Sequence, residues 1–258
     1  MENIPTSEVF VPKIEVLGVK VGDIDEKTAI SRILTLAKDT KGHHYVVTVN
    51  AEFVMLARRN PDFARIVESA DLALADGAGV VLAKLILGGK AHSRVTGVDM
   101  VDKLCAESAK RAIRVGFLGG FHAVASEVSK RQKAKFPGLK VVYIASGSPI
   151  IGYDLRLRKA ISASGRVDIL FVAFGMGGQE FWISRNIKHL NVGVAIGVGG
   201  AFDYISSVKM RAPRFVQRVG LEWLWRLVLE PARIWRMRVL PVFAELVIWQ
   251  FLKKLLKF

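Results

Sequence analysis

"VDILFVAFG", residues 167–175, decides the fold. Apart from Asp168 the run is apolar, and it ends on Gly175. A near-continuous apolar run of this kind reads as a strand covered on both faces. Outward from it the same pattern recurs in "VGVAIGVGG" (192–200), "LKVVYIAS" (139–146), "IRVGFLGG" (113–120), "DLALAD" (71–76) and "HYVVTVN" (44–50). Helical spacing lies between these runs. It is clear in "AEFVMLARRNPDFARIVESA" (51–70, broken at Pro61), "GAGVVLAKLIL" (77–87) and "FHAVASEVSKRQKAKF" (121–136). Buried strands alternating with helices predict an α/β fold, a mostly parallel sheet with helices on both faces. The 258 residues suffice for one such domain, residues 1–208, and an appendage, residues 209–258.

Ligands of open parallel sheets bind at the carboxyl ends of the strands. Polar and glycine residues gather at those ends here: Thr48 and Asn50, Asp76 and Gly77, Gly119 and Gly120, Gly175 to Gln179, and Gly197 to Gly200. Glycines there let the backbone approach a phosphate. That makes Gly119, Gly120, Gly175, Gly199 and Gly200 candidate nucleotide contacts.

The net charge is +15, so an anionic partner is expected. Residues 209–258 hold 11 Lys/Arg against 3 acids, together with four of the five tryptophans. Basic residues mixed with Trp, Leu and Phe suit a bilayer interface better than a DNA groove. The stretch "LPVFAELVIWQFLKKLLKF" (240–258) is too short and too charged to span a bilayer. Its apolar residues and Lys253, Lys254 and Lys257 predict a helix lying on an anionic membrane surface. A core helix, or one packed in a homo-oligomer, is the other reading. "MENIPTSEVF" has neither a basic nor an apolar signal region. The single cysteine, Cys105, excludes a disulfide within the chain. These features predict a cytoplasmic protein, peripheral on the inner face of the cell membrane.

Eight stretches, in order and with compatible spacing, resemble the WecG/TagA/CpsF glycosyltransferase family, and its TagA branch most. They are "TVNAEF", "ADLALADGAGVV", "RVTGVD", "VGFLGG", "FVAFGMGGQEFWI", "AIGVGGAFDYISS", "KMRAPRFVQRVGLEWLWRL" and "EPARIWR". The resemblance implies a Rossmann-like fold. It also implies inverting transfer of N-acetylmannosamine, or a related sugar, from a UDP-sugar donor without a metal ion or other cofactor. The implied acceptor is undecaprenyl-diphosphate-linked GlcNAc on the membrane, in teichoic acid or other surface polysaccharide synthesis. By position, the family's general base falls on Asp76. Its pocket residues fall on Thr48, Asn50, Arg94 and Gln179, with Asp203 in the matching "GAFD". Arg226, Arg233 and Arg236 fall on the arginines that help to close the site. In one departure, Gly177 and Gly178 stand where many members have Pro-Lys.

From the residues alone each of these has a plainer reading. Asp76 is either a base or the cap of the helix beginning at Gly77. Thr48 and Asn50 either bind a sugar or cap the following helix, and Arg94 is either a diphosphate ligand or a surface arginine. Gln179 faces substrate or solvent. In "GDIDE" (22–26), Asp23 and Asp25 form an Asp-x-Asp pattern that can hold a divalent metal, but before a helix they read better as capping residues. His43, His44, His92, His122 and His189 lack zinc-site spacing. Arg226, Arg233 and Arg236 are spaced by seven and three, on one side of a helix that Pro231 interrupts. Two further readings compete. A nucleic-acid-binding protein using the basic tail would bind DNA or RNA with a steep salt dependence. A nucleotide-dependent oxidoreductase is disfavoured, because no complete G-x-G-x-x-G follows the first strand.

Overall fold

The computed structural model describes residues 10–90, 94–218 and 220–256, so His92, Lys257 and the first nine residues lie outside it. A short antiparallel hairpin leads, β1 (Lys13–Val16) and β2 (Val19–Gly22), turning through Leu17 and Gly18 at φ 51° and 88°. Six parallel strands form the main sheet: β3 (His44–Val49), β4 (Leu72–Ala75), β5 (Arg114–Gly119), β6 (Lys140–Ala145), β7 (Val167–Ala173) and β8 (Val192–Gly197). Their order is β4-β3-β8-β7-β5-β6. The expected parallel α/β sheet is therefore present, and β7 lies within it, paired to β5 and β8.

Side chains alternate across the sheet, as the period of two requires. In β7, Ile169 and Phe171 enter one core, and Leu170 and Val172 enter the other. The first core is closed by α1 (Glu26–Lys38), α5 (Gly97–Arg111), α6 (Val124–Lys135) and the short α9 (Ala201–Ile205). The second is closed by α2 (Ala51–Arg59), α3 (Pro61–Glu68), α4 (Ala78–Ile86), α7 (Asp154–Ala163) and α8 (Gly178–Asn186). Pro61 breaks the long helical stretch as expected. Asn60 ends α2 and caps α3, its Oδ1 accepting from the Phe63 N–H at 3.0 Å.

Residues 209–218 and 220–256 run back across the carboxyl end of the sheet as α10 (Arg214–Arg218), α11 (Glu222–Leu229), α12 (Ile234–Met237) and α13 (Val239–Leu255). Pro231 interrupts the path between α11 and α12. The inner face of α13 packs on the chain's own core through buried Phe243 and Val247. Gln250 pins it to the hairpin, accepting from the Leu17 N–H at 2.9 Å and donating to the Glu15 carbonyl at 3.0 Å. The structure revises the role expected of Lys254. Instead of facing a membrane, its ammonium donates to the Leu87 carbonyl at the end of α4, at 2.9 Å. The outer face leaves Ile248, Trp249, Leu252 and Leu255 exposed. Among the described residues no helix is long and apolar enough to cross a membrane.

Candidate active site

The carboxyl ends of β3, β4, β7 and β8 open into a polar cavity of about 390 Å³. Thr48, Asn50, Asp76, Gly175, Gln179, Gly199, Gly200 and Asp203 line it from the core, and Arg226, Arg233 and Arg236 line it from the appendage. Arg94 lines a second cavity of about 600 Å³, which is mostly apolar and lies between α4 and the appendage. Asn50, Asp76, Arg226 and Arg233 line both, so the two spaces meet at Asp76. Gly119 and Gly120 line neither. They serve packing: a Cβ at Gly119 would lie 2.6 Å from the Ala173 carbonyl, and one at Gly120 2.7 Å from the Val124 side chain.

Asp76 follows β4 directly, and its N–H donates to the Val49 carbonyl at 3.0 Å. The capping reading fails. The residue at the N-cap of α4 is Gly77, and no side chain caps that helix. The Asp76 carboxylate is half-buried, and burial pushes its pKa up to about 6. The Arg226 and Arg94 charges and the Gly97 N–H pull it down, while the Glu222 carboxylate adds to the rise. A carboxylate tuned toward neutrality at a cavity junction is suited to accepting a proton.

Asn50 does cap α2: its Oδ1 accepts from the Phe53 N–H at 2.9 Å. Its Nδ2 donors remain uncommitted among the described residues. Thr48 is not a cap. It is buried within β3, and its hydroxyl donates to the Gly197 carbonyl at 3.1 Å, tying β3 to β8 where both strands end. Gln179 is buried, and its whole amide is engaged. Oε1 accepts from the Gly199 N–H at 2.9 Å, and Nε2 donates to Glu180 Oε1 at 2.7 Å. It thus sets the turn after β8 against α8. Gly197 leaves room beneath it: a Cβ there would sit 2.6 Å from Gln179 Nε2 and would force that amide to shift.

Glu180 is the residue that sequence reasoning missed. It lines the floor of the polar cavity yet is fully buried, and burial pushes its pKa up to about 7. The Gln179 amide and the Gly177 N–H, which donates at 2.7 Å, oppose that rise. Its signal in the sequence was a carboxylate in the first turn of an otherwise apolar helix start, "GQEFWI" (178–183). The Gly177 departure has a local consequence. Gly177 takes φ 85° and gives its N–H to Glu180, and a proline could do neither.

The appendage docks through charge. Glu222 of α11 is buried, ion-paired to Arg94 and 3.6 Å from Arg211, which pairs with Asp99 at 2.8 Å. Arg94 also donates to the Gln217 carbonyl at 3.1 Å. Its visible role is therefore to hold the appendage in place. Lys209 lies 3.5 Å from Asp203 and 3.0 Å from Glu230, and Glu230 lies 3.3 Å from Arg233. Arg226 stacks over the Tyr204 ring at 4.7 Å. Among the described residues, neither Arg226 nor Arg236 is ion-paired to a carboxylate. These two cations remain for an anionic ligand.

Asp23 and Asp25 line neither cavity. Asp25 caps α1, accepting from the Thr28 N–H at 2.7 Å. Asp23 departs from the capping expectation: it forms a buried ion pair with Lys84 at 3.0 Å. Among the described residues no cluster of three or more His, Cys, Asp or Glu could hold a metal ion.

A profile described as the glycosyl transferase WecG/TagA/CpsF family matches residues 14–257. The chain is 33% identical over 226 residues, 88% of its length and 87% of the relative's, to an N-acetylglucosaminyldiphosphoundecaprenol N-acetyl-beta-D-mannosaminyltransferase of Bacillus spizizenii. A protein of the same description from Bacillus subtilis is 32% identical, over 80% of this chain and 79% of its own length. One from Staphylococcus aureus is 25% identical, over 90% of each. The chain belongs to the WecG/TagA/CpsF family and is a glycosyltransferase. None of these relatives supports the nucleic-acid reading.

Proposed function

We propose that this family member transfers an N-acetylmannosaminyl residue from a UDP donor to N-acetylglucosaminyl-diphosphoundecaprenol, with inversion, in teichoic acid or a related surface polysaccharide pathway. The carrying observation is Asp76: an uncapped, half-buried carboxylate with its pKa near 6, where a polar and an apolar cavity meet. The polar cavity holds the UDP-sugar over the strand ends. Asp76 takes the proton of the acceptor hydroxyl as its oxygen bonds the anomeric carbon. The bond from that carbon to the diphosphate breaks on the opposite side, and the electron pair leaves with UDP. Arg226 and Arg236 meet the charge that grows on the leaving diphosphate. Asn50 is placed to donate to the sugar, and Thr48 and Gln179 set the strand-end backbone around it.

The acceptor is anchored in a membrane, and the exposed apolar face of α11 to α13, which includes Trp223, Trp235 and Trp249, docks the enzyme on the anionic inner leaflet. A panel of UDP-sugars offered with a GlcNAc-diphospholipid acceptor, and read by product mass, tests the reaction. Addition of one N-acetylhexosamine from UDP-N-acetylmannosamine is the expected result. No product from any UDP-sugar would refute it.

A further inference from the structure

The larger cavity is walled by Leu82 and Ile86 of α4, Leu227 of α11, Met237 of α12, and Phe243 and Val247 of α13. A nucleotide-sugar has no use for such walls, and at about 600 Å³ the space is the size of a ligand pocket. Its walls come from the core on one side and the appendage on the other. One end is polar, lined by Glu52, Asp76, Arg94, Glu222, Arg226 and Arg233, with Glu222 already ion-paired to Arg94. Rim residues elsewhere are apolar and open to solvent: Leu82 is 56% exposed, Ile248 53% and Trp223 45%. An occupant that satisfies both ends carries an anion beside the arginines and a hydrocarbon chain leading out past Ile248.

We propose that this cavity binds the first isoprene units of the lipid acceptor, drawing them out of the bilayer and seating its diphosphate at the polar end beside Arg233. The proposal rests on the reaction proposed above and adds a site to it. The tail is then a recognised part of the substrate as well as its anchor. A single unsaturated chain whose diphosphate carries a sugar that reaches the catalytic carboxylate fits. A phospholipid would bring a headgroup that has no role at Asp76.

The test uses the full chain without membranes and does not depend on turnover. The probe is GlcNAc-diphosphofarnesol with a diazirine on its second isoprene unit, irradiated below its micelle concentration, and the labelled peptides are mapped by mass. Labelling should fall within residues 78–86 and 237–248. Unlabelled GlcNAc-diphosphofarnesol should compete at least about tenfold better than phosphatidylglycerol. Ala244→Trp, which places an indole in the cavity, should reduce labelling about tenfold. Leu82→Trp at the rim is the second variant should the first not fold, with UDP binding by calorimetry as the control for folding. Labelling confined to the outer face of α13, equal competition by phosphatidylglycerol, or undiminished labelling in a folded cavity-filling variant overturns the proposal. A labelled cavity in an enzyme that accepts no UDP-sugar would leave the cavity standing and refute the reaction.

Discussion

The two ends of the sheet handle their charges in opposite ways. At the amino end, Asp168 of β7 accepts from the Arg114 N–H at 2.8 Å, from Arg114 Nε at 3.0 Å and from Arg166 Nε at 3.1 Å. Burial works against its charge, but these bonds hold its pKa below the usual carboxylate range. His44 of β3 lies between Asp39 and Asp71, at 2.8 and 2.7 Å. Burial opposes its charge, yet the two carboxylates raise its pKa. At the carboxyl end, burial raises Asp76 and Glu180 and outweighs what opposes it, the Arg226 and Arg94 charges at Asp76 and the Gln179 and Gly177 hydrogen bonds at Glu180. One end spends its charges on stability. The other keeps carboxylates in states that folding disfavours, and groups tuned that way mark a working site.

The sharpest break in this contrast is a matched pair of variants. Asp76→Asn should lower turnover by ~10²–10⁴, as removal of a general base does. The same change should raise the melting temperature at pH 7.5 by a few degrees, since it deletes a disfavoured charge worth ~1–3 kcal/mol. Asp168→Asn should do the reverse, costing about 1–3 kcal/mol of stability while turnover per folded molecule survives. Steady-state kinetics and thermal melts on both variants decide it. Near-wild-type turnover in Asp76→Asn would remove the residue from its role.

Next in size are the unpaired cations. Arg226→Ala and Arg236→Ala should each weaken UDP-sugar use by roughly 10–100-fold, mainly in the transfer step. Arg233→Ala should do less, because Arg233 already shares Glu230 with Lys209. An equal loss at all three would mean that the ion pair is broken when donor binds.

The pH profile follows with about tenfold per unit. A base with its pKa near 6 must be ionised, so kcat/KM should fall as pH drops through about 6. Stability should move the other way. Asp76 is raised from 3.8 to about 6 and Glu180 from 4.5 to about 7, so their stabilising protonated forms are lost as pH rises through those values. His44, also raised, adds in the same direction. Melts from pH 8 to pH 5 should therefore gain stability in the wild type, and gain less in an Asp76→Asn, Glu180→Gln double variant.

Much of the fold was legible because parallel strands are apolar throughout, and the runs at 44–50, 113–120, 139–146, 167–175 and 192–200 all proved to be strands. The candidate site was legible as a set of strand ends, since topology alone sends those residues to one edge. What each residue does there was not. Asn50 is the exception, since the helix it caps begins beside it and capping was one of its two readings. Thr48 ties two strands, Gln179 orients a turn and Arg94 holds Glu222, and each of these three roles depends on a partner far away in the chain. Likewise the apolar cavity arises only because α13 folds back over α4. A tail read as apolar and basic gives no sign that Phe243 and Val247 face inward, or that Lys254 meets Leu87.

The smallest expected effect is the most discriminating between the two carboxylates of the working end. Glu180 lines the polar cavity from its floor but not the apolar one, and both its oxygens are engaged, by Gln179 and by Gly177. Fully buried in that floor, it acts on the site chiefly through Gln179, whose other end holds the Gly199 N–H. Glutamine at 180 offers one acceptor where glutamate offers two, and its NH₂ would face a donor. The turn should then loosen and the Gln179 amide lose its fixed orientation. Glu180→Gln should raise the KM for donor a few-fold and leave kcat within about threefold, with a net stability change at pH 8 within about 1–2 kcal/mol. There the lost hydrogen bond offsets the relieved charge. At pH 5, where the wild-type carboxyl is protonated, only the loss should remain, so the variant should melt below the wild type. A collapse of kcat like that of Asp76→Asn would instead make Glu180 a second proton carrier, and the separation of one base from one positioning residue would fail.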